Sequence, residues 1–347
     1  MAERHMKENP RLTVGTVVAA GVGAALGLRA LLRPRMNFRD KTVLITGGSR
    51  GLGLVLARHF LKEGARVAIC ARDEETLERA RTELERLGGE VLAVPCDVTD
   101  SVQVEALISS VHERFGAVDV LVNNAGVIQT GPIESMTLED FEEAIATHLW
   151  APLYTTLAVL PEMKRRGEGR IINISSIGGK LGVPHLVPYS ASKFALVGLS
   201  DGMRAELAQD GILVTTVCPG LMRTGSPRNA TFKGDHEKEY AWFYVSDSLP
   251  GFSMNAERAA RKIIEAGRRG DAEVLVGLPA KLGAVARAFA PNLTASMLAF
   301  VNRWLPQDSH LEPFKGKESE TRLTRSWLTE LSRRAAERNN ETEVPLH

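Results

Sequence analysis

Short apolar runs alternate with longer amphipathic segments from Lys41 to about Gly277. A short apolar run bounded by turn residues is typical of a buried strand, whereas apolar residues that recur every three or four positions indicate a helix. Strands are predicted at seven places, 42–46, 66–70, 91–94, 118–122, 170–175, 212–217 and 273–277. Strands that alternate with helices at this spacing form a parallel sheet covered on both faces. The pattern therefore predicts an α/β fold with a doubly wound sheet of about seven strands.

The amphipathic segments between these runs predict the helices. They extend from the glycine-rich stretch after residue 46 to about residue 63, and over 73–87, 101–115, 137–164, 188–209 and 256–267. Residues 224–254 break the pattern, because they are polar and irregular apart from an aromatic patch at 240–244. A long insertion after the carboxyl end of a strand is where such sheets bind ligands. The alternative is a loop that only covers the core.

An uncharged run, Leu12–Leu28, lies near the start of the chain, with Arg11 before it and Arg29 after it. The run is shorter than the roughly 20 residues that span a bilayer, unless it extends to Leu32. A membrane anchor through 12–32 and a soluble or peripherally docked helix both fit this pattern. A cleaved signal peptide is disfavoured, because no clean small-residue cleavage site follows. We therefore expect a cytoplasmic-facing protein, either anchored through this segment or free in the cytoplasm.

The sequence beyond about Pro279 lacks residues of catalytic type. Two amphipathic helices are predicted at 281–290 and 293–305, and they are suited to a membrane surface, a partner subunit or the main domain itself. The highly charged stretch 312–347 is expected to be a solvated helix or tail. The predicted domain organisation has three parts: a hydrophobic N-terminal segment, a catalytic domain and a helical C-terminal extension, over 1–36, 37–278 and 279–347.

The overall composition is that of a globular protein, with 44% hydrophobic residues and a formal net charge of +1. A charge so nearly balanced argues against a nucleic-acid binder with a broad basic surface. The three cysteines, Cys70, Cys96 and Cys218, form no CxxC pair and no cluster with histidine. A metal site or a disulfide framework is therefore not expected, and a reducing compartment fits best.

A glycine-rich loop follows the first predicted strand and opens a helix, with the sequence Thr46-Gly47-Gly48-Ser49-Arg50-Gly51-Leu52-Gly53. Glycines let the backbone approach the pyrophosphate of a dinucleotide, and a helix N-terminus faces its negative charge. The spacing is G-x-x-x-G-x-G rather than the G-x-G-x-x-G of most Rossmann enzymes. The order of strand, loop and helix is nevertheless the one that a dinucleotide site needs. The sequence therefore predicts a Rossmann-type sheet with a dinucleotide at this loop.

Two arginines indicate which dinucleotide is bound. In NAD binders an acidic residue after the second strand holds the ribose 2′-hydroxyl, but here that strand ends in Cys70-Ala71-Arg72. The guanidinium groups of Arg50 and Arg72 suit a 2′-phosphate, which favours NADP over NAD; two solvated surface arginines are the alternative. Asp97, after the third strand, is a candidate acceptor for the adenine amine or a simple loop cap.

Two further turns are candidates for the cofactor site. Asn123-Asn124-Ala125-Gly126 closes the fourth strand, where amides and small side chains allow the backbone to pass near a cofactor. Pro219-Gly220 closes the sixth strand and is followed by Thr224. These residues are candidates for the nicotinamide end of the cofactor, although Pro-Gly is also a common turn.

Tyr189 and Lys193 lie four residues apart on a predicted helix and therefore on one face of it. A tyrosine hydroxyl ordinarily titrates at about pH 10, and a neighbouring ammonium favours its phenolate. Ser176, at the end of the fifth strand, adds a third polar group. Such a set suits proton transfer to or from a carbonyl or alcohol oxygen. A tyrosine–lysine pair at this spacing also arises by chance, with the lysine stem covering the ring.

Together these motifs resemble those of the short-chain dehydrogenase/reductase family. The resemblance covers about Asn37 to Gly277 and rests on TGGSRGLG, Asp97-Val98, NNAG, the serine–tyrosine–lysine set and PGLMRT, in the family's order and spacing. It implies that Tyr189 is the general acid/base, that Lys193 lowers its pKa and binds the nicotinamide ribose, and that Ser176 holds the substrate oxygen. The implied cofactor-binding residues are Thr46, Gly47, Ser49, Arg50, Gly51, Leu52, Gly53, Arg72, Asp97, Val98, Asn124, Ala125, Gly126, Tyr189, Lys193, Pro219, Gly220 and Thr224.

The chain departs from the family at one position of the catalytic set. The family has an asparagine there, which supports a helix kink and helps to position a water beside the lysine. This chain has His148, in Ala146-Thr147-His148-Leu149. Because histidine both donates and accepts hydrogen bonds, it either serves the same proton relay or is a core histidine with no catalytic part.

The resemblance implies an NADP(H)-dependent oxidoreductase that moves a hydride between the nicotinamide and the carbonyl carbon of a small-molecule substrate. The hydrophobic N-terminus and the aromatic patch favour a lipophilic alcohol or ketone. The alternative is a non-catalytic nucleotide-binding regulator or membrane-associated scaffold of the same fold, against which the intact serine–tyrosine–lysine set argues. Family members are often dimers or tetramers, so a homo-oligomer is a further expectation.

Overall fold

Seven parallel strands form the central sheet in the computed structural model, which describes residues 35–342. The strands are β1 (Thr42–Thr46), β2 (Arg66–Ala71), β3 (Val91–Pro95), β4 (Val120–Asn123), β5 (Gly169–Ile174), β6 (Ile212–Pro219) and β7 (Glu273–Val276). Their order across the sheet is β7-β6-β5-β4-β1-β2-β3, with every neighbouring pair parallel. The predicted seven-stranded, doubly wound sheet is confirmed.

Helices connect these strands, and most of them pack on the sheet. They are α1 (Gly51–Lys62), α2 (Glu74–Arg86), α3 (Ser101–Phe115), α4 (Leu138–Ile145), α5 (Ala151–Arg166), α6 (Val187–Leu207), α7 (His236–Ser248) and α8 (Ala256–Arg269). Helix α1 packs against α8, and α3 packs against α5. Aspartates begin three of them, since Asp73 accepts a hydrogen bond from Thr76 N at 2.7 Å, Asp100 accepts one from Val102 N at 2.9 Å and Asp235 accepts one from Lys238 N at 3.2 Å. Such caps satisfy backbone donors that a helix start leaves unpaired.

The burial of the strands explains why their sequences are apolar at consecutive positions. Every residue of β1 and β6 is buried, whereas β3, at the edge of the sheet, is half-buried. A parallel sheet covered on both faces has no solvent-facing side and therefore no alternation of polar and apolar residues. The strand order changes direction between β1 and β4. Sheets of this type bind ligands outside the carboxyl ends of their strands at such a point.

Buried amide side chains tie β4 and β5 to the helices that pack on them. Asn123 Nδ2 donates to Asn173 Oδ1 at 2.8 Å, and Asn123 Oδ1 accepts from Thr155 Oγ1 at 2.7 Å. Asn173 Nδ2 in turn donates to Ser200 Oγ at 2.8 Å. Because buried polar groups are costly without partners, this network holds α5 and α6 at fixed positions on the two strands.

The helix predicted over 137–164 is interrupted. Helices α4 and α5 are joined by a π-helical turn at Ala146–Trp150, which contains His148. A π turn is wider than an α-helical turn and is rare in proteins overall. Those that occur are often at functional sites, because a π turn redirects side chains without ending the helix. Its location in this chain brings His148 into the protein interior, where the side chain is fully buried.

The prediction of an irregular insertion over 224–254 is wrong for residues 236–248. Helix α7 occupies much of it, and its aromatic side chains Tyr240, Phe243 and Tyr244 are buried. Tyr240 packs on Phe232, with ring centroids 5.3 Å apart, and on Tyr244, with centroids 5.0 Å apart. Aromatic residues spaced three and four apart form one face of a helix, and this face builds a second, smaller core. The part of the segment before α7 lines the cleft at the carboxyl ends of the strands, at residues 224, 226 and 228–231, where a ligand-binding insertion was predicted.

Two amphipathic helices follow the sheet, as predicted: α9 (Leu278–Phe289) and α10 (Pro291–Asn302). Both leave large apolar side chains in solvent, among them Phe289 of α9, which is 86% exposed, and Leu293 of α10, which is 63% exposed. Between residues 35 and 342, no helix has both the length and the apolar character that crossing a membrane requires. The predicted hydrophobic segment, 12–32, lies outside the described residues.

The expectation that the charged stretch after residue 312 is solvated is wrong for much of its described part. Helix α11 (Glu330–Arg338) packs against α7, with Ala335 and Ala336 buried. The residues after α11 are also buried, since Asn339 is 1% exposed and Glu341 is 8% exposed. These residues belong to the same compact unit as the central sheet.

Candidate active site

One large cleft, of about 890 Å³, lies at the carboxyl ends of the central strands. It is lined by the residues that directly follow β1, β2, β3, β4, β5 and β6. All of the residues predicted to form the site line this cleft, apart from Thr46 and Gly53, which lie in the same glycine loop. Motifs that are up to about 180 residues apart in the sequence therefore meet at one place, because parallel strands end at a common edge.

Ser176 and Tyr189 approach each other across the turn that follows β5. Ser176 Oγ accepts a hydrogen bond from Gly178 N at 3.0 Å, which fixes the turn. A Cβ at Gly178 would lie 3.2 Å from Tyr189 Cε1 and 3.5 Å from Ser176 Oγ. A glycine at this position therefore leaves room for the tyrosine ring beside the serine.

The environment of Tyr189 favours its neutral phenol. Burial raises the pKa of Tyr189 above its ordinary value, and the hydrogen-bonding interaction with Ser176 acts in the opposite direction. Lys193 was expected to lower this pKa, but it is not among the groups that do so in the structure. Lys193 Nζ lies 5.6 Å from the centroid of the tyrosine ring and donates instead to the Ile174 carbonyl oxygen at 2.9 Å. Tyr189 is therefore protonated at neutral pH, the state that a proton donor requires.

Lys193 lies one helical turn after Tyr189 on α6 and is 4% exposed. Burial lowers the pKa of its ammonium group to about 7, because a charge is less stable away from water. The backbone at this position is held by Ser175, whose hydroxyl donates to the Lys193 carbonyl oxygen at 3.0 Å. Near pH 7 the lysine therefore exists in both protonation states.

The His148 ring packs against the Tyr189 ring, with the two ring centroids 5.5 Å apart and the rings nearly perpendicular. Val127 N donates to His148 Nε2 at 3.1 Å. Nδ1 therefore carries the hydrogen, and it donates to Ser192 Oγ at 2.7 Å. Burial, with the charge of Lys193 as a second cause, lowers the pKa of His148 well below its ordinary value. The imidazole is thus neutral, and its two nitrogens link the loop after β4 to α6.

The glycine loop forms a cradle that side chains would fill. A Cβ at Gly47 would lie 2.8 Å from Ala125 Cα, and one at Gly53 would lie 2.1 Å from the Gly47 carbonyl oxygen. Gly47 also has a φ of +63°, which few other residues adopt. The exposed backbone and the N-terminus of α1 fit the pyrophosphate of a dinucleotide, since such groups bind anions.

Thr46 and Asn124 hold the two loops of this cradle together. Asn124 Nδ2 donates to the carbonyl oxygens of Thr46 and Gly47, both at 3.0 Å. Thr46 Oγ1 accepts from the backbone amides of Asn124 and Ala125 at 3.0 and 3.1 Å. Both side chains therefore shape the cradle, and Thr46 does so from beneath the surface of the cleft.

Arg72 and Asp97 lie at the other end of the cleft, beyond β2 and β3. Arg72 Nη1 is 4.0 Å from Asp97 Oδ2, and the arginine side chain is 62% exposed. Asp97 Oδ1 accepts from the backbone amide and the hydroxyl of Thr99 at 2.9 and 2.7 Å, so this carboxylate also caps its own loop. Arg50 has a different partner, because its Nε lies 3.6 Å from Glu341 Oε2.

Pro219, Gly220 and Thr224 line the cleft at the end of β6. Gly220 N donates to the Val276 carbonyl oxygen at 2.9 Å, which extends the pairing of β6 with β7. A Cβ at Gly220 would lie 3.4 Å from Ala280 Cβ, so the start of α9 adjoins this end of the site. Thr224 Oγ1 donates to Ser226 Oγ at 2.9 Å and orders the turn that follows.

Several residues at the site were missed in the sequence, and two groups of them matter for the arguments below. Ser192, between the tyrosine and the lysine, is the hydrogen-bond partner of His148, and its place in the YSASK stretch was a usable signal. Asn340, Glu341 and Thr342 also line the cleft. No pattern in the sequence indicated these three residues, because a charged stretch does not show which distant backbone groups it will contact.

Comparison with known proteins finds similar sequences and a similar solved structure. The family model described as short chain dehydrogenase matches residues 41–233. The ketoacyl reductase HetN of Nostoc sp. is 41% identical over 182 residues, which are 52% of this chain and 63% of that protein. Dehydrogenase/reductase SDR family member 7B of Danio rerio is 35% identical over 261 residues, 73% of this chain and 83% of that protein. The crystal structure of a short-chain dehydrogenase from Streptomyces avermitilis has a TM-score of 0.65 and 31% identity, covering 76% of this chain and 98% of that one.

Replacement of Lys193 by methionine tests its electrostatic state. The pKa of Lys193 in the folded protein, about 7, lies below that in the unfolded chain. Above pH 7 the unfolded chain therefore binds more protons, and the stability of the wild type rises with pH until the unfolded lysine also deprotonates. We expect Lys193→Met to stabilise the protein most at or below pH 7, with the gain shrinking by roughly 1.4 kcal/mol per pH unit above it.

Urea unfolding of both proteins at about pH 6.5, 8 and 9.5 measures this difference. Lys262→Met, at an exposed position of α8, is the matched control and should show no such trend. A stability difference that is constant or grows with pH would contradict the lowered pKa.

Proposed function

Because the chain belongs to the short-chain dehydrogenase/reductase family, we propose that it is an NADPH-dependent reductase that converts a ketone of a lipophilic substrate to a secondary alcohol. The observation that carries this proposal is the convergence of Ser176, Tyr189 and Lys193 in the cleft that also contains the glycine cradle. A reductase needs a proton donor beside the place where a dinucleotide is held. The three side chains supply the donor, and the cradle supplies the place.

A nicotinamide held beside the glycine cradle would supply the hydride for the carbonyl carbon of the substrate. Tyr189 Oη, which is protonated at neutral pH, donates its proton to the carbonyl oxygen, so that hydride and proton together give the alcohol. The Ser176 hydroxyl donates a hydrogen bond to the same oxygen and orients it. Lys193, in its protonated state, stabilises the phenolate that Tyr189 leaves behind, and water then restores the tyrosine proton.

Apolar side chains at the catalytic end of the cleft support a lipophilic substrate. Val127, Ile128 and Met222 line this end. Helix α9 adjoins it and exposes Leu278 and Leu282, which are 66% and 61% exposed. An apolar substrate buries such surface on binding and gains from the hydrophobic effect. The name of the Nostoc relative, ketoacyl reductase, makes ketones on acyl chains the first substrates to assay.

Replacement of Tyr189 by phenylalanine removes the proton donor and keeps the ring. We expect Tyr189→Phe to lower turnover by about 100- to 10,000-fold, the usual contribution of a general acid. The Kd for NADPH should stay within about threefold, because the ring still fills its place. NADPH oxidation with ketones and ketoacyl thioesters of graded size measures turnover, and titration calorimetry measures binding.

Tyr154→Phe, at a position that does not line the cleft, is the matched control for this experiment. Retained turnover in Tyr189→Phe would remove the tyrosine from the mechanism. A wild-type protein that binds NADPH and reduces no carbonyl substrate would favour the nucleotide-binding regulator.

Arg72 is proposed to hold the 2′-phosphate, since its side chain is exposed at the end of the cleft. Loss of a charge-assisted hydrogen bond costs about 1.5–3 kcal/mol, so we expect Arg72→Ala to raise the Kd for NADPH by about 10- to 100-fold. The Kd for NADH should change by less than about threefold, because NADH lacks this phosphate. Titration calorimetry with both dinucleotides checks the difference, with Arg86→Ala, an exposed residue on α2, as the control. Equal effects on the two cofactors would contradict the assignment.

We propose that His148 is a positioning residue, because both ring nitrogens are engaged and the ring is neutral. His148→Ala leaves the Val127 amide and the Ser192 hydroxyl without this partner. We expect kcat to fall by about tenfold or more, because the ring also supports Tyr189, whereas KM changes less. His148→Asn, which can still donate and accept, should restore part of kcat. Loss of thermal stability with an unchanged kcat would indicate a structural role alone.

A further inference from the structure

The segment Asn339–Thr342, which follows α11, lies in the cleft proposed to bind the dinucleotide. It comes from a part of the chain far beyond the residues that match the family model, which end at 233. Three of its four residues, Asn340, Glu341 and Thr342, line the cleft beside Ser49, Arg50 and Gly51 of the glycine loop. We call Asn339–Thr342 the tail segment.

The tail segment contacts the N-terminus of α1 with both its backbone and a carboxylate. Gly51 N, at the first position of α1, donates to the Asn339 carbonyl oxygen at 2.9 Å. Glu341 Oε1 lies so near that a Cβ at Gly51 would be 2.6 Å from it. Free backbone amides and the helix dipole make a helix N-terminus an anion site. In this structure the carboxyl group of Glu341 occupies that site.

The other partners of Glu341 also suit an anion. Asn229 Nδ2 donates to Glu341 Oε2 at 2.5 Å, and Arg50 Nε lies 3.6 Å from the same oxygen. The Arg50 side chain is a candidate for the 2′-phosphate, and here it faces the tail segment instead. Burial raises the pKa of Glu341, against the opposing effects of Arg50 and Asn229. The carboxylate is thus held in a buried place by groups that a phosphate would also use.

Asn340 spans the cleft from the glycine loop to α2. Its Nδ2 donates to the carbonyl oxygens of Ser49 at 2.8 Å and Thr76 at 2.9 Å, and its Oδ1 accepts from Arg79 Nε at 3.0 Å. Thr76 and Arg79 lie on the first turns of α2 and line the cleft beside Arg72. The tail segment therefore crosses the end of the cleft where a 2′-phosphate is expected.

We propose that the tail segment is a built-in competitor of the dinucleotide. The Glu341 carboxylate takes the anion position at the start of α1, and the segment leaves this position when the pyrophosphate binds. The proposal rests on the proposed function in one respect, which is that the ligand of the cleft is a dinucleotide.

Simultaneous occupancy is disfavoured by charge and by the supply of hydrogen-bond donors. A carboxylate and a pyrophosphate at one buried helix terminus repel each other strongly, because the low dielectric of the interior screens little. Gly51 N donates to the tail segment, and Arg50 is close to Glu341. The dinucleotide gains these groups only after the tail segment has moved.

Departure of the tail segment leaves the sheet intact. The segment forms no strand, and side chains make most of its contacts with the main domain, such as that from Asn339 Nδ2 to the Thr224 carbonyl oxygen at 3.1 Å. Local opening of such a segment costs less free energy than global unfolding. The apparent affinity for the dinucleotide is then the intrinsic affinity reduced by the fraction of molecules in which the segment is displaced.

Glu341→Gln tests the competition in the full-length protein, because it removes the charge and nearly keeps the shape. We expect the Kd for NADPH, measured by titration calorimetry, to fall by about fivefold or more. A chain that ends at Arg338 should show a decrease at least as large. Glu337→Gln, on α11 and outside the cleft, is the matched control and should leave the Kd unchanged.

An unchanged or raised Kd in Glu341→Gln would overturn the proposal. A raised Kd would instead make the tail segment a strap that closes over the bound cofactor. If neither the wild type nor the variants bind NADPH or NADH, both this proposal and the dinucleotide assignment fail. If all proteins bind NADPH equally, only the competition fails.

Hydrogen exchange provides a readout that does not depend on affinity. On saturation of the wild type with NADPH, the amides of α11 and the tail segment should exchange faster, since the segment has left the cleft. The amides of α1 should exchange more slowly, because the cofactor covers them. Increased protection of both regions would contradict displacement.

Discussion

The close approach of backbone to backbone at the carboxyl ends of β1 and β4 is the constraint on which the rest of the site depends. Gly47 and Gly53 permit this approach, because neither position has room for a Cβ. Asn124 then closes the gap with two hydrogen bonds from one amide. With the two loops held together, the N-terminus of α1 opens into the cleft, and the loop after β4 continues to Val127, the residue that holds His148. The cofactor cradle and the catalytic centre are thus parts of one hydrogen-bonded structure.

Burial sets the charge state of this centre. It favours the neutral forms of Tyr189 and His148, and it brings the pKa of Lys193 to about 7. Tyr189 and His148 are therefore neutral near pH 7, and Lys193 is only partly protonated. A site with little charge of its own responds strongly to charges brought by a ligand. The protonation of Lys193 is consequently the quantity that a bound cofactor is able to shift, whereas His148, whose ring nitrogens both have partners, serves as a rigid support.

The strands and most helices were predictable from the sequence, because a sheet covered on both faces demands consecutive apolar residues and its helices demand a regular apolar stripe. The residues of the cleft were predictable for a related reason, since they follow directly after the strands. The π turn at Ala146–Trp150 was not predictable, as its amino acids also suit an α-helix. Tyr240, Phe243 and Tyr244 had helical spacing, but the polar residues around them concealed it. The position of Glu341 depends on Asn229, 112 residues earlier, and no local pattern records such a contact.

The packing of α11 on α7 has a consequence for distant parts of the protein. Ser248 Oγ donates to Ser332 Oγ at 2.9 Å, and this contact helps to hold the helix from which the tail segment extends. Interactions that stabilise α11 on α7 also favour the docked position of the tail segment, and a dinucleotide must displace that segment in order to bind. Side chains at this helix–helix contact, none of which line the cleft, therefore adjust the cofactor concentration at which the protein becomes half-saturated.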